Sequence, residues 1–126
     1  MKTEGQLVGR RGEDEACRYL QQLGQQILAR NYRSGRLEID IISLAADGLH
    51  FVEVKTRTAP APADPEDNVG PAKRRHMVRA AQGWLHGPDR APLREAELFF
   101  DVISVLLDKE TTYIQYYPQA FIPLYV

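Results

Sequence analysis

The sequence has one cysteine, Cys17, and three scattered histidines, His50, His76 and His86. A single thiol cannot close an internal disulfide, and these residues do not offer the ligand spacing of a structural zinc site. Any metal bound here must be held by oxygen. Long hydrophobic runs are missing too: nothing approaches the roughly 20 apolar residues that cross a bilayer. The opening stretch MKTEGQLVGRRGEDE lacks the apolar centre of a secretory leader. With the lone cysteine, this predicts a cytoplasmic protein without a membrane segment. Neither charge dominates, since the formal net charge is -1. Overall composition therefore carries no global signal for a polyanionic partner.

What is present is an ordinary globular chain of 126 residues, 44% hydrophobic and 26% charged, which fits a single domain. The charge is uneven along it. Residues 1–79 carry 13 Lys and Arg against 11 Asp and Glu, whereas residues 80–126 carry 3 against 6. Neutralising a few N-terminal acids with a cation would leave that part clearly basic.

Apolar positions Ala16, Tyr19, Leu20 and Leu23 recur with helical spacing between Gly9 and Gly24, and Glu13 falls at the edge of their stripe. Gly9 and Gly12 share that stripe, which would let the helix start lie close to a strand. Three strands are predicted next, near Gln26–Tyr32, Arg36–Leu44 and Leu49–Arg57, joined by the turns Ser34-Gly35 and Ala46-Asp47-Gly48 as an antiparallel meander. Residues 58–70, rich in proline and acid, read as a flexible loop. A second helix opens at Pro71 and runs to Leu85 with Met77, Ala80, Ala81 and Trp84 on its core stripe; Lys73, four residues before Met77, joins that stripe. Strands near Leu98–Leu107 and Thr112–Tyr117 complete the order α-β-β-β-α-β-β, an α/β domain with a mixed sheet. Asp101, inside FFDVISV, is expected to mark a strand edge.

Four charges do not suit buried strands: Glu38 and Asp40 in the second, Glu53 and Lys55 in the third. Alternation places Glu38 with Asp40, and Glu53 with Lys55 and Arg57, so paired strands would present them together. Converging carboxylates repel, and a hard divalent cation, Mg²⁺ or Mn²⁺, relieves the repulsion. A lysine beside such an ion could orient or deprotonate a water, or hold a phosphate oxygen.

Asp40, then Glu53-Val54-Lys55 thirteen residues on, behind a helix bearing Glu13, resembles the PD-(D/E)XK nuclease superfamily, which includes restriction enzymes and archaeal Holliday junction resolvases. The ordered stretches GRRGEDEACRYL, ILARNYR, EIDIIS, FVEVKTR, AKRR and FDVISV are similar to the YraN-like family of uncharacterised bacterial proteins. The resemblance implies a restriction-endonuclease-like sheet flanked by helices. It makes Asp40 and Glu53 metal ligands, Lys55 the catalytic lysine, and Glu13 a supporting acid; Lys73 is the candidate polar residue of the second helix. Ile39 stands where the superfamily often has proline, and Leu37-Glu38 stands where the YraN-like pattern has Gly-Glu.

Competing readings stay open for each residue. Asp40 and Glu53 could instead form salt bridges with Lys55 and Arg57; Glu13 could serve only the helix dipole. Glu38 could pair with Arg36 or Arg57, and Lys73 could snorkel to water. Arg10, Arg11, Arg30, Arg33, Arg36, Arg57, Arg74, Arg75 and Arg79 are either solvated faces or phosphate contacts, the latter favoured by RNYRSGR and KRRHMVR. The expectation is a nucleic-acid-binding protein, DNA before RNA, that hydrolyses phosphodiesters with Mg²⁺ or Mn²⁺. Its rivals are a binding module without catalysis and a hydrolase of small phosphorylated molecules. A homodimer would suit a branched substrate, as in the resolvases.

Overall fold

A computed structural model describes residues 2–60 and 69–123. Helix α1 spans Glu4–Gln22 and helix α2 Pro71–Leu85; the strands are β1 Gln26–Ser34, β2 Leu37–Ala45, β3 Gly48–Thr58, β4 Leu98–Asp108 and β5 Thr111–Phe121. They form one sheet in the order β1-β2-β3-β4-β5. All neighbours are antiparallel except β3 and β4, which run parallel because α2 carries the chain back between them. The mixed α/β architecture anticipated from the element order is therefore the one observed.

α1 begins five residues before Gly9. Thr3 accepts a hydrogen bond from the Gln6 amide while the Gln6 side chain accepts from the Thr3 amide, a reciprocal capping box. Ala16, Cys17 and Leu20 bury the inner face of α1 against Ile41, Val52, Ile103, Val105 and Leu107. Leu23, expected in that stripe, lies past the helix end and is 51% exposed. On the opposite sheet face Met77, Ala80, Ala81 and Trp84 of α2 pack on Ile42, Leu49, Phe51, Phe100 and Val102. Gly12 is the contact point of α1: a Cβ there would run into the Thr56 side chain on β3, so only a glycine allows this approach. Gly9 meets no such neighbour.

Two features differ from the simple alternating picture. Asp101 marks no edge, because β4 lies between β3 and β5 and the residue is fully buried. β3 also continues through Thr58, the first residue of the expected loop. Residues 61–68 of that loop lie outside the described residues.

Candidate metal and nucleic-acid site

Pairing of β2 with β3 runs from Ala45↔Gly48 to Ile41↔Val52. Both strands continue past that point, β2 back to Leu37 and β3 on to Thr58. Asp40 and Glu53 are thus the first residues beyond the last pair, at the fork where the strands part. β2 also changes face here: Ile39 and Ile42, three residues apart, both join the cluster under α2, whereas Ile41 faces α1. Asn31, which the β1–β2 register would place opposite Asp40, adopts φ +52°, a left-handed conformation that asparagine tolerates better than most residues.

The fork leaves backbone donors of β3 in need of partners, and Asp40 supplies one. Its Oδ2 accepts the Val54 N–H at 2.8 Å. Burial still raises the proton affinity of Asp40, and that bond only partly offsets the effect. Glu53 is pushed up to about 7, first by burial and then by the Asp40 charge. A hydrogen bond joins the two carboxyls, with Glu53 as the protonated partner. Two carboxyls this close do not comfortably ionise together, so the pair favours keeping a proton on Glu53.

Cations flank this pair. Lys73 Nζ, in the first turn of α2, lies 3.4 Å from Glu53 Oε2 and draws both carboxyls back toward ionisation. Lys73 therefore turns inward to an acid, and does not simply snorkel to water. Lys55 and Arg57 follow Glu53 at two-residue steps on β3, so alternation puts them on its side of the strand, half-buried.

Glu13 reaches the same region from α1 but holds a different place. Burial, then the Asp40 charge, raises its proton affinity, and a hydrogen bond to Asn31 works against them. Its Oε1 is 4.0 Å from Arg30, which is fixed mainly to Asp14 at 2.7 Å. Among the described residues no group of three or more His, Cys, Asp or Glu is arranged to hold a metal ion. Asp40 and Glu53 thus remain as two carboxylate donors. That set suits Mg²⁺ or Mn²⁺, which commonly takes one or two protein carboxylates and completes its shell with water and phosphate oxygens.

The basic residues divide into groups. Lys2, Arg10, Arg30 and Arg33 line a cleft of about 600 Å³ between α1 and the β1–β2 hairpin, together with Glu13, Asn31 and Glu38. Glu38 lies 3.9 Å from Arg33, its cross-strand partner on β1. Arg11 is exposed on α1. On α2, Arg74 is taken up by packing: its Nε donates to the Val69 carbonyl at 2.6 Å and its guanidinium sits 5.4 Å over the Phe121 ring. Arg75 and Arg79 are exposed. Arg30, the first residue of the RNYRSGR stretch, lines the cleft as well, but its guanidinium is held by Asp14. Little in the sequence warned of the buried His50–Asp101 pair, whose only signal was two ionisable residues inside apolar strands.

The sequence model of the Uncharacterised protein family UPF0102 matches residues 12–105. The chain belongs to this family. Members of UPF0102 with similar sequences include one from Nitratidesulfovibrio vulgaris (strain DP4), 40% identical over 114 residues, 90% of this chain and 83% of the relative. One from Anaeromyxobacter dehalogenans is 39% identical over 92% of this chain and 84% of its own length. A third, from Chlorobaculum parvum, is 46% identical over 80% of this chain and 76% of the relative. The UPF0102 match takes in Glu13, Glu38, Asp40, Glu53, Lys55 and Lys73, and ends within β4, before Tyr116.

Proposed function

We propose that this protein binds nucleic acid, DNA before RNA, and hydrolyses phosphodiester bonds at the β2–β3 fork with Mg²⁺ or Mn²⁺. The observation that carries this reading is the placement of two carboxyls, Asp40 and Glu53, just past the last β2–β3 pair, with Lys73 3.4 Å from Glu53. Two carboxyls kept together in a partly buried fork, at an electrostatic cost, favour a cation that relieves their repulsion. A divalent ion held there would supply Lewis-acid stabilisation of phosphate oxygens.

The chain's own residues do the remaining work. Asp40, fixed by the Val54 amide, gives the site a rigid edge. Lys55 holds a phosphate oxygen or orients the attacking water on the same side of β3. Lys73 keeps Glu53 near ionisation so that its proton leaves readily. Arg10 and Arg33 in the cleft, with Arg75 and Arg79 on α2, attract the polyanion and position it without reading sequence. Water adds to phosphorus, the bond to one ester oxygen breaks, and the proton released from water ends on that leaving oxygen or in solvent.

Cleavage of single-stranded, duplex and branched DNA and of RNA with Mg²⁺ or Mn²⁺ tests the reading, with Lys55→Ala and Asp40→Ala as controls. Each substitution should lower the rate on the order of a hundredfold or more while the circular dichroism spectrum stays unchanged. Activity that survives both assigns the chemistry elsewhere. The direction of Glu13 toward Asn31 and Arg30, away from a three-carboxylate cluster, favours a second reading in which the same surface binds nucleic acid without cutting it. Salt-sensitive binding with no cleavage of any substrate would select that one.

A further inference from the structure

Toward the C-terminal end of α1, adjacent strands bring Ser43, His50, Asp101 and Tyr116 into a polar row across the sheet, and the first three are buried. Ser43 Oγ donates to Gln25 Oε1 at 2.6 Å, and Gln25 Nε2 reaches the Tyr116 hydroxyl at 3.5 Å. The Tyr116 hydroxyl donates to Asp101 Oδ2, and the Gln119 amide donates to Oδ1 at 2.8 Å. Tyr19 of α1 meets Tyr116 edge to face at 6.1 Å, and the His50 ring stacks on Phe99 at 4.7 Å. Ser43 is no nucleophile paired with His50, since its hydroxyl serves Gln25.

Both nitrogens of His50 face carboxylates. Nδ1 lies 2.6 Å from Asp101 Oδ2, and Nε2 lies 2.7 Å from Asp47 Oδ1 in the β2–β3 turn. An ionised carboxylate only accepts, so both bonds form together only when both ring nitrogens carry hydrogen. Burial opposes the charged ring, but Asp101 and Asp47 outweigh it and raise its proton affinity. The charged groups facing His50 are thus Asp47 from the turn and Asp101 from β4. Tyr116 from β5, whose hydroxyl burial pushes upward, and Tyr19 from α1 also pack against this cluster. Glu97, ahead of β4, touches this region through its carbonyl, which accepts from Leu49 at 2.8 Å.

We propose that His50 is a proton-controlled latch on the β2–β3 turn. As an imidazolium it ties Asp47, at the surface, to Asp101, inside the sheet. On losing one proton it retains a single N–H. That hydrogen stays on fully buried Asp101, where losing one of its donors costs more than at the surface, and Asp47, 59% exposed, turns to water. β2 and β3 also carry Asp40 and Glu53, so the latch governs how firmly the hairpin bearing the fork is closed at its turn. The proposal needs no assumption about catalysis at the fork.

The experiment is a nitrogen-15 NMR titration of the His50 ring in the full chain from pH 5.5 to 9, with thermal unfolding of wild type and Asp47→Ala at each pH. Both ring nitrogens should be protonated at pH 6.5, with a transition above that value in wild type and a lower midpoint in Asp47→Ala. Because the folded state raises the proton affinity of His50, the contribution of the latch is complete below the unfolded value of about 6.5 and fades as pH rises through the folded one. Wild type should therefore melt several degrees above Asp47→Ala at pH 6, and the two should converge once His50 is neutral. A His50 ring already neutral at pH 6, or a gap of the same size at pH 6 and pH 9, overturns the latch.

Discussion

Glu53 is a carboxyl whose environment favours its proton. The folded form holds that proton up to about 7, whereas the unfolded chain releases it near the ordinary value of 4.5. Between those values the folded state binds more protons, so this group makes the cation-free protein less stable as pH rises. Glu53→Gln should remove that slope, leaving a flatter profile of melting temperature against pH between about 4.5 and 7 in chelator. Lys73→Met should do the reverse. Losing the cation 3.4 Å away raises the proton affinity of both carboxyls further, and carbon-13 NMR of the Glu53 carboxyl should show its midpoint displaced to higher pH. A midpoint unmoved by Lys73→Met would mean that the ion pair does not form in solution. At this scale the sequence was only partly informative. Asp40, Glu53 and Lys73 stood out as charges among apolar neighbours, but the raised proton affinity of the two carboxyls depends on burial and distances that spacing does not give. Glu38 shows the same limit: the β1–β2 register, which sets Arg33 opposite it, brings Arg33 to 3.9 Å, and that register was not given by spacing.

At the scale of elements, the contact between α1 and β3 depends on the absence of a side chain at Gly12. Alanine is the better helix former by about 1 kcal/mol, yet its Cβ would meet Thr56 on β3. Overpacking of this kind costs typically 1 to 3 kcal/mol, so Gly12→Ala should be net destabilising in urea unfolding. Adding Thr56→Ala should return much of the loss by making room for the new methyl. If Gly12→Ala alone proved stabilising, α1 would sit farther from the sheet than described. The helical stripe made Gly12 legible as a close-approach position, but the same reasoning favoured Gly9, which meets nothing. Thr3 escaped notice because its cap lies before the first apolar repeat. Pro71 fixed the start of α2 correctly, since a proline is accepted at a first turn and nowhere deeper.

For the whole molecule, cation binding should couple to stability. A ligand bound only by the folded form adds RT ln(1 + [L]/Kd), about 2.7 kcal/mol at a hundred times Kd, which raises Tm by several degrees. Mn²⁺ should do this for wild type and much less for Asp40→Asn, while in chelator Asp40→Asn should hold steady or gain stability from the lost repulsion. Because the Glu53 proton must leave first, the Mn²⁺ effect should grow from pH 5 to pH 7.5. No Mn²⁺ effect in wild type, with Asp40→Asn clearly destabilised in chelator, would leave the acids with a salt-bridge role only. Affinity for nucleic acid should fall as salt rises, and replacing Arg10, Arg33, Arg75 and Arg79 by alanine should weaken it at every sequence and flatten the salt slope. Arg74→Ala should instead lower stability, through its Val69 and Phe121 contacts.

Periodicity, proline and glycine placement, and turn residues determined the order of elements, their approximate limits and the faces of both helices. These follow from local backbone geometry and from the area each segment has to bury, and both are properties of short stretches. The candidate acids and lysines were also legible, because a charge inside an apolar run is conspicuous wherever the run ends up. Only the tertiary structure decided where β2 and β3 stop pairing, which placed Asp40 and Glu53 at a fork and gave the Val54 amide to Asp40. It alone put Asp101 in the interior against His50, 51 positions earlier in the chain. Pairing between distant segments depends on sheet order, twist and the packing of helices on both faces, and those quantities exist only once the chain has closed on itself.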